Sequence, residues 1–213
     1  QIKNRIIMNW TSNIDPKIRE IELRQHPVII RVNKFTEDSA KEFSQKMALA
    51  HNTGQSIIPV VIDSYGGQVY SLMSMISAMK NSELPVATIV EGKAMSCGVI
   101  LFSCGHEGLR FVTPEATLMI HDVSAGAFGK NEEIQASAKE TARLNKMIYT
   151  ILADNSKKPR DYFTKEVKRR GRADWYVTPS KAVKMGIADY VGSPKLHIDV
   201  SVDISLAIPE DLT

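Results

Sequence analysis

Short apolar runs alternate with amphipathic segments along this chain from residue 27 onwards. Runs of four to eight apolar residues are typical of buried strands, and segments with apolar residues every three or four positions are typical of helices. The pattern predicts strands at 28–32, 57–62, 86–90, 109–112 and 117–120, and helices at 36–51, 69–80 and 96–104. Repeated strand–helix units predict an α/β fold with parallel strands and right-handed crossovers.

The pattern changes after His121. A segment rich in Gly and Ala, 122–130, precedes a long helix whose predicted N-cap is Asn131 and which we expect to end near residue 153. Apolar residues lie on more than one face of this helix, which indicates that it packs against more than its own domain. Two further helices are predicted at 159–169 and 179–185, and a half-exposed strand is predicted at 198–204.

We divide the chain into three regions on this pattern: an N-terminal arm at 1–26, a core domain at 27–193 and a strand-like C-terminal tail at 194–213. The arm is mixed and polar and lacks the strand–helix alternation. A length of 213 residues is enough for one domain that buries most of its apolar surface.

Composition places the chain among ordinary soluble proteins. Hydrophobic residues make up 43 % and charged residues 24 % of the chain, and no apolar run reaches the length of about 18 residues that suggests a membrane span. A net charge of +3 does not indicate nucleic-acid binding, and the basic segment 165–172 has no interleaved aromatic residues, which favours a solvated helix face. The spacing of Cys97 and Cys104 fits neither a metal site nor a disulfide framework, so we expect a reducing, cytoplasmic setting and no metal or cofactor.

Ser96 and His121 are the candidate reactive pair. Ser96 lies in the sequence GKAMSCG at a predicted strand-to-helix turn, and His121 follows the apolar run 117–120. Either residue alone has an ordinary structural explanation, as a helix N-cap or as a histidine at a strand end. A serine on an exposed corner with a histidine in reach is, however, the arrangement that activates a hydroxyl nucleophile. With Asp174 to orient the histidine, the residues predict a Ser-His-Asp hydrolase.

Backbone N–H donors for an oxyanion are predicted on two turns. The N–H of Cys97 follows Ser96 at a helix start, where the helix dipole also favours negative charge. The ordinary reason for two glycines in the Gly66-Gly67 turn is a backbone with positive φ. A backbone without side chains also lets a substrate approach closely. The N–H of Gly67 is therefore the second candidate donor to the oxyanion. Two alternatives stay open at this point: Cys97 as a rival nucleophile, and Lys93 as the base of a Ser-Lys dyad.

Four blocks of the chain resemble, in order and spacing, the Clp protease proteolytic subunit (ClpP) family of self-compartmentalised serine peptidases. The segment IDSYGG at 62–67 resembles the family's NSPGG turn, and GKAMSCG at 92–98 resembles its GxAASMG nucleophile turn. The segment TLMIH at 117–121 resembles its MIHQP histidine strand. DWYVT at 174–178, followed by AVKMGIAD at 182–189, resembles its RDxFMSAxEAxxYGLID block.

This resemblance extends over residues 28–191, most of the chain, and implies a fold and an activity. The implied fold is the crotonase-like α/β superhelix of strand–helix units, with a protruding handle helix that interlocks rings. The implied activity is serine endopeptidase. The implied site residues are Ser96 as nucleophile, His121 as general base and then acid, Asp174 as its orienter, and the N–H groups of Gly67 and Cys97 as the oxyanion hole.

The resemblance also implies how substrate is bound and delivered. An extended peptide would bind beside Gly66 and the segment formed by Val123, Ser124, Ala125 and Gly126. Family members are usually seven-membered rings stacked in pairs, as tetradecamers, with a peptidase core that is itself ATP-independent and is fed by an AAA+ unfoldase. The expected partners are therefore polypeptide substrates, further copies of this chain and such an unfoldase, with no nucleic acid and no membrane.

Departures from the family pattern leave alternatives open. Asp122-Val123 replaces Gln-Pro after the histidine, Tyr65 replaces proline in the glycine turn, and 1–26 contains no recognisable axial loop. An acid beside His121 is expected to alter substrate preference, and without the loop the docking of an unfoldase stays open. One alternative is a phage head-maturation protease that cleaves capsid or scaffold proteins without an unfoldase. Others are a catalytically vestigial ring subunit and a crotonase-like acyl-CoA enzyme, which would not need the Ser-His-Asp set.

Overall fold

The computed structural model describes residues 4–7, 27–124, 126, 128–195 and 200–203, which form nine strands and six helices. The strands are β1 (Asn4–Ile7), β2 (Ile30–Val32), β3 (Ile58–Ser64), β4 (Val86–Met95), β5 (Arg110–Val112), β6 (Thr117–Ile120), β7 (Trp175–Val177), β8 (Tyr190–Val191) and β9 (Val200–Asp203). The helices are α1 (Glu37–Ala50), α2 (Val69–Lys80), α3 (Cys97–Ser103), α4 (Asn131–Asn155), α5 (Tyr162–Arg169) and α6 (Pro179–Met185). The predicted α/β fold is confirmed.

Seven of these strands form one sheet in which most neighbours run parallel. Strands β2, β3, β4, β5 and β8 pair side by side in that order. Strand β6 pairs in parallel with β4, and β7 pairs antiparallel with β6. The predicted parallel pairing therefore holds except at β7, a strand that the hydrophobic pattern did not predict.

Strand β4 is long enough for two strands to share one of its edges. It pairs with β5 over 88–90 and with β6 over 93–95. Between these parts the register with β3 on the other edge shifts, after the pair Ile62–Val90. An irregularity of this kind bends a strand, and Gly92, at a φ of 76°, supplies a left-handed residue within it. The carboxyl end of β4 therefore lies beside β6 rather than β5.

Helices pack on the sheet to form a continuous apolar core. Helix α1 packs against α2 and β2, and α3 packs against α2, α4 and β4. Ile62 of β3, Leu72 and Met75 of α2 and Phe102 of α3 are completely buried. Every residue of α3 is buried, so the turn that leads into it from β4 is fixed by the core on its helical side.

Two helix boundaries, the start of α1 and the end of α6, lie where the sequence predicts them, for identifiable reasons. The Thr36 hydroxyl accepts the N–H of Ser39 at 3.2 Å, and the Ser39 hydroxyl accepts the N–H of Thr36 at 2.9 Å, so α1 begins with a reciprocal cap. Helix α6 is followed by Gly186 at a φ of 78°, where an added Cβ would lie 2.7 Å from the carbonyl oxygen of Ser156. Only glycine fits that position.

One predicted N-cap and one predicted helix start are wrong. Helix α4 begins at Asn131, so its N-cap is Lys130 rather than Asn131, and the Glu133 carboxylate accepts the N–H of Lys130 at 3.1 Å. Helix α5 begins at Tyr162 rather than Pro159, because Pro159 belongs to a separate turn in which its carbonyl accepts the N–H of Tyr162 at 2.8 Å.

The two halves of α4 differ in burial. Its buried residues all lie in the second half, and they are Leu144, Ile148, Tyr149, Leu152 and Ala153. The first half is largely exposed and includes Ile134, which is 42 % exposed. A helix anchored at one end and exposed at the other agrees with the predicted handle helix.

Strand β1 pairs with β9 in parallel, from the pair Asn4–Val200 to the pair Ile7–Asp203. Part of the strand predicted at 198–204 is thus present at Val200–Asp203, whereas the strand in the N-terminal arm was not predicted. The boundaries of the arm and the tail stay predictions. No helix in the part of the chain given above is long and apolar enough to cross a bilayer.

A buried ion pair joins β5 to the loop between α6 and β8. Arg110 donates to Asp189 through Nη2 at 2.6 Å and Nε at 2.9 Å, and its Nη1 donates to the carbonyl oxygens of Asn155 and Gly186. Only 6 % of the Arg110 side chain and 15 % of the Asp189 side chain are exposed. Burial acts to raise the pKa of Asp189, but the guanidinium and two backbone N–H groups outweigh it and lower the pKa below its ordinary value.

We expect Asp189→Ala to lower the free energy of unfolding by about 3–5 kcal/mol, because it leaves Arg110 as an unpaired buried charge. The matched control is Glu107→Gln, which breaks the exposed Lys157–Glu107 pair and should change that free energy by less than about 1 kcal/mol.

The loss caused by Asp189→Ala should also depend on pH. Because folding lowers the pKa of Asp189, the stabilisation is fully present above about pH 4 and is lost as the pH falls through the lowered pKa. Urea unfolding of the wild type and both variants between pH 7 and pH 2 checks this. If Asp189→Ala and Glu107→Gln lowered the free energy of unfolding equally at pH 7, this result would contradict the role given to the buried pair.

Candidate active site

Ser96 lies between the end of β4 and the first residue of α3. Its N–H donates to the carbonyl oxygen of Met119 in β6 at 2.9 Å. Its backbone has a φ of 55° and a ψ of −120°, a conformation that a non-glycine residue adopts rarely and at a cost of about 1–3 kcal/mol. Its side chain caps no N–H of α3, so the ordinary explanation of this serine as an N-cap fails. The hydroxyl is presented at a strained strand-to-helix corner.

His121 follows β6 directly and lies near the end of β4. Because Met95 pairs with Met119, Ser96 and His121 leave two neighbouring parallel strands at the same edge of the sheet. The His121 side chain is 28 % exposed. Among the hydrogen bonds of the described residues, none joins Ser96 Oγ to the His121 ring. Bonds of this kind commonly become short only when substrate is bound.

Asp174 precedes β7 and faces His121 across an antiparallel pair. Ile120 pairs with Trp175, so the next positions along that register are His121 and Asp174. Asp174 Oδ1 lies 3.4 Å from His121 Nδ1, and half of the Asp174 side chain is exposed. The structure therefore brings Ser96, His121 and Asp174, the three residues singled out in the sequence, to one edge of the sheet.

Gly66 packs directly against Ser96. An added Cβ at Gly66 would lie 2.7 Å from Ser96 Cβ and 3.2 Å from Ser96 Oγ. Its φ of 106° also lies in the region that favours glycine. The N–H of Gly66 donates to Ser64 Oγ at 3.1 Å, which holds the turn in place. Any side chain at this position would displace the Ser96 hydroxyl.

Two backbone N–H groups lie next to the Ser96 turn. Cys97 is the first residue of α3, so its N–H has no partner within that helix. Gly67 packs on Phe35: a Cβ added to Gly67 would lie 2.6 Å from the carbonyl oxygen of Phe35. That carbonyl oxygen accepts the N–H of the next residue, Gln68. The N–H of Gly67 makes none of the backbone hydrogen bonds of the described turns and loops. Within the described part of the chain, neither N–H has a hydrogen-bond acceptor.

The Cys97 thiol is a poor rival to the Ser96 hydroxyl. It is buried, and its Sγ donates to the carbonyl oxygen of Gly67 at 3.2 Å. Burial raises the pKa of the Cys97 thiol to about 11, so the thiol is protonated at neutral pH. Because the thiolate is the reactive form, the geometry favours Ser96 as the nucleophile.

Lys93 is engaged in a different ion pair. Its Nζ donates to Asp63 at 2.7 Å and lies over the ring of Tyr65, 4.4 Å from the ring centroid. The hydrogen bond to Asp63 raises the pKa of Lys93, so its amine holds a proton at neutral pH. A charged lysine is not a base, and the Ser-Lys dyad is therefore disfavoured.

The segment predicted to bind peptide lies directly after His121. Val123 is half-buried, and its N–H donates to Asn145 Oδ1 of α4 at 2.7 Å, so this N–H is not free to pair with a substrate strand. Ser124 and Gly126 are exposed. Ala125 lies outside the described residues.

The acid next to His121 is paired elsewhere. Tyr149 of α4 donates to Asp122 Oδ1 at 2.8 Å, and Arg172 donates to Asp122 Oδ2. Burial and then the hydrogen bond to Asp122 raise the pKa of Tyr149, so its hydroxyl keeps the proton that it donates. The Asp122 carboxylate thus binds Tyr149 and Arg172 in place of the histidine beside it.

Sequence reasoning missed Asn145, Tyr149 and Arg172. The first two are four residues apart in a predicted helix and so lie on one face, which was a readable signal. The contact made by Arg172 depends on the loop between α5 and β7 and has no such signal. In the described part of the chain, no group of three or more His, Cys, Asp and Glu side chains is arranged to hold a metal ion.

We expect both cysteines to resist alkylation in the folded chain. Burial raises both thiol pKa values to about 11, so about one thiol in a thousand is ionised at pH 8. Iodoacetamide should modify Cys97 and Cys104 at least about 100-fold more slowly than in the urea-unfolded chain. Timed alkylation with peptide mass spectrometry measures this. Rapid modification of Cys97 in the folded chain would restore it as the candidate nucleophile.

Comparison with known protein families gives a match that contains the whole of this site. A model of the Clp protease family matches residues 17–195. An ATP-dependent Clp protease proteolytic subunit from Deinococcus radiodurans is 30 % identical over 148 residues, which are 70 % of this chain and 71 % of that protein. With the match extending over the β4–α3 turn, β6 and β7, this chain belongs to the Clp protease family.

Proposed function

We propose that this chain is a serine endopeptidase subunit that hydrolyses peptide bonds through an acyl-enzyme on Ser96. The observation that carries the proposal is the meeting of Ser96, His121 and Asp174, hereafter the triad, at one edge of the sheet. These residue types in this order are those of a hydrolase triad. Membership of the Clp protease family supports a peptidase as the hydrolase class.

The first half of the reaction uses all three side chains. Ser96 Oγ attacks the carbonyl carbon of the scissile peptide as His121 takes its proton. Asp174, 3.4 Å from Nδ1, orients His121 and stabilises the imidazolium that forms. The N–H groups of Gly67 and Cys97 donate to the oxyanion of the tetrahedral intermediate. Collapse of this intermediate breaks the C–N bond, and His121 gives its proton to the leaving amine.

The second half releases the acyl group. His121 takes a proton from water, the water oxygen attacks the ester carbonyl, and the ester bond to Ser96 breaks as His121 returns the proton to Oγ. The N–H groups of Gly67 and Cys97 serve the second intermediate as they serve the first. These steps consume water and no ATP, so the proposed peptidase core is ATP-independent.

An assembly of several copies is part of the proposal. The first half of α4 is largely exposed, Ile134 on it is 42 % exposed, and Phe128 just before it is 99 % exposed. Exposed apolar residues on a projecting helix are typical of a surface that a partner covers. In keeping with the family, we propose seven-membered rings stacked in pairs around a chamber for polypeptide substrates, in a cytoplasmic setting. An AAA+ unfoldase would deliver substrate; a phage-type relative would instead cleave capsid or scaffold proteins without one.

Replacing a member of the triad should abolish activity. Ser96→Ala, His121→Ala and Asp174→Asn should each lower kcat for a fluorogenic peptide by about 10³- to 10⁶-fold, because each removes a group that acts in the bond-breaking steps. A fluorophosphonate probe should add its mass to Ser96 of the wild type. The matched control, Ser74→Ala, removes an exposed hydroxyl on α2 and should leave both readouts unchanged.

A folded wild-type chain that neither hydrolyses peptides nor reacts with the probe would contradict the peptidase proposal and favour a vestigial ring subunit. Native mass spectrometry tests the assembly separately. A particle of fourteen subunits would support stacked rings of seven, and a monomer or dimer would contradict them.

Gly66→Ala should disable Ser96, whereas Gly108→Ala should not. The two glycines have φ values of 106° and 82°, so alanine is strained at both. Only the Cβ at position 66 would meet Ser96, since nothing lies within 4 Å of a Cβ at position 108. We expect fluorophosphonate labelling to slow by more than about 100-fold in the first variant and less than about twofold in the second. Equal labelling rates at equal Tm would contradict this.

A further inference from the structure

Polar side chains just outside the triad join the two segments that contain its histidine and its aspartate. Asp122 follows His121, and Arg172 precedes Asp174 by two residues. Arg172 donates to Asp122 through Nη1, and Tyr149 donates to the other carboxylate oxygen at 2.8 Å. None of these three groups takes part in the bond-breaking steps, so the network needs another explanation.

The contact between Asp122 and Arg172 closes an open end of the sheet. The last paired residues of β6 and β7 are Ile120 and Trp175. Beyond them the described residues show no further bridge between the two segments, and the contacts that span the gap are made by side chains. One of these side-chain contacts joins His121 Nδ1 to Asp174 Oδ1 at 3.4 Å, and half of the Asp174 side chain is exposed. Such a contact is weak in water. The second contact is exposed at Arg172, but its Asp122 carboxylate is only 22 % exposed and also accepts a hydrogen bond from the buried Tyr149.

The backbone at Arg172 is fixed from the side of α5. Its φ is 59°, in the left-handed region, and its N–H donates to the carbonyl oxygen of Val167 at 3.0 Å. Gly171 lies in the same region and donates to the carbonyl oxygen of Lys168 at 3.0 Å. Backbone of this kind persists only when its surroundings over-determine it. The Arg172 side chain therefore projects from a defined turn at the end of α5.

Helix α4 fixes the other side of the network. Tyr149 is 2 % exposed, and a buried hydroxyl needs a hydrogen-bond partner, which Asp122 provides. One helical turn earlier on the same face, Asn145 accepts the N–H of Val123 at 2.7 Å. The chain that leaves His121 is thus attached at two successive residues to the buried half of α4. Asp122 is held by a group that belongs to the core.

We propose that Arg172, Asp122 and Tyr149 are positioning residues that hold Asp174 against His121, an inference that rests on the proposed peptidase function. Arg172 fixes the turn from which Asp174 projects, Asp122 binds Arg172, and Tyr149 anchors Asp122 to α4. Without this tie, Asp174 samples orientations that do not meet His121 Nδ1. Catalysis then slows although every reacting group is present.

The test compares Arg172→Met, Asp122→Asn and the double variant with the wild type. Each single substitution should lower kcat for a fluorogenic peptide by about 10- to 100-fold and change KM by less than about twofold, because the pair acts on the triad and makes no contact with substrate. The double variant should have a kcat no lower than that of the less active single variant, since the two residues act as one unit. Arg172→Lys, which keeps the charge, should retain more activity than Arg172→Met.

The matched control is Arg169→Met, which breaks an exposed pair with Glu166 in the same basic segment and should leave kcat within about twofold of the wild type. Native mass and Tm are measured on every variant. The Arg172 side chain is 63 % exposed, so we expect its substitution to leave the chain folded.

Three outcomes would overturn the inference. In the first, Arg172→Met and Asp122→Asn are as active as Arg169→Met. In the second, their loss of kcat follows a loss of native mass or of folded protein, which would make the pair structural. In the third, the wild type neither hydrolyses peptide nor labels at Ser96; that result contradicts the proposed function and removes the inference with it, whereas the first two contradict the inference alone.

Discussion

The site depends on the pairing of one long strand with two shorter ones. Strand β4 pairs with β5 over its first part and with β6 at its carboxyl end, and the N–H of Ser96 continues that second pairing to Met119. A slip of one residue in a strand turns every side chain to the other face of the sheet. The register between β4 and β6 therefore decides whether Ser96 and His121 face the same space. The antiparallel register of β7 then decides where Asp174 lies.

Close packing of backbone on backbone is the second constraint. Gly66 touches Ser96 and Gly67 touches Phe35, so the glycine turn is wedged between the end of β4 and the chain that leads into α1. The strained backbone of Ser96 is held between this turn and the fully buried α3. A core of this density transmits small displacements, so the position of the hydroxyl depends on residues that never meet a substrate.

Much of this arrangement could be predicted from the sequence. The bounds of α1 and α2, the glycine at the end of α6 and the succession of parallel strands follow from apolar spacing and capping residues. Ser96, His121 and Asp174 could be named because each lies at the end of a predicted element or beside a buried aromatic residue. The extension of β4 over 91–95 could not, because that stretch is half polar and its strand conformation comes from β6. The ion pair between Arg172 and Asp122 could not be predicted either, because it depends on the turn at the end of α5, and no local sequence pattern specifies the path of that turn.

We propose that the end of β4, the glycine turn and β6 together form an acyl-transfer site around Ser96. A crystal structure of the chain after reaction with a peptide boronate tests this proposal. We expect a boron–oxygen bond to Ser96 Oγ, with a boronate oxygen about 2.7–3.1 Å from the backbone nitrogens of Gly67 and Cys97. We also expect His121 Nε2 to lie within hydrogen-bond distance of Ser96 Oγ. A boronate bound to another residue, or one whose oxygens point away from both N–H groups, would contradict the proposal.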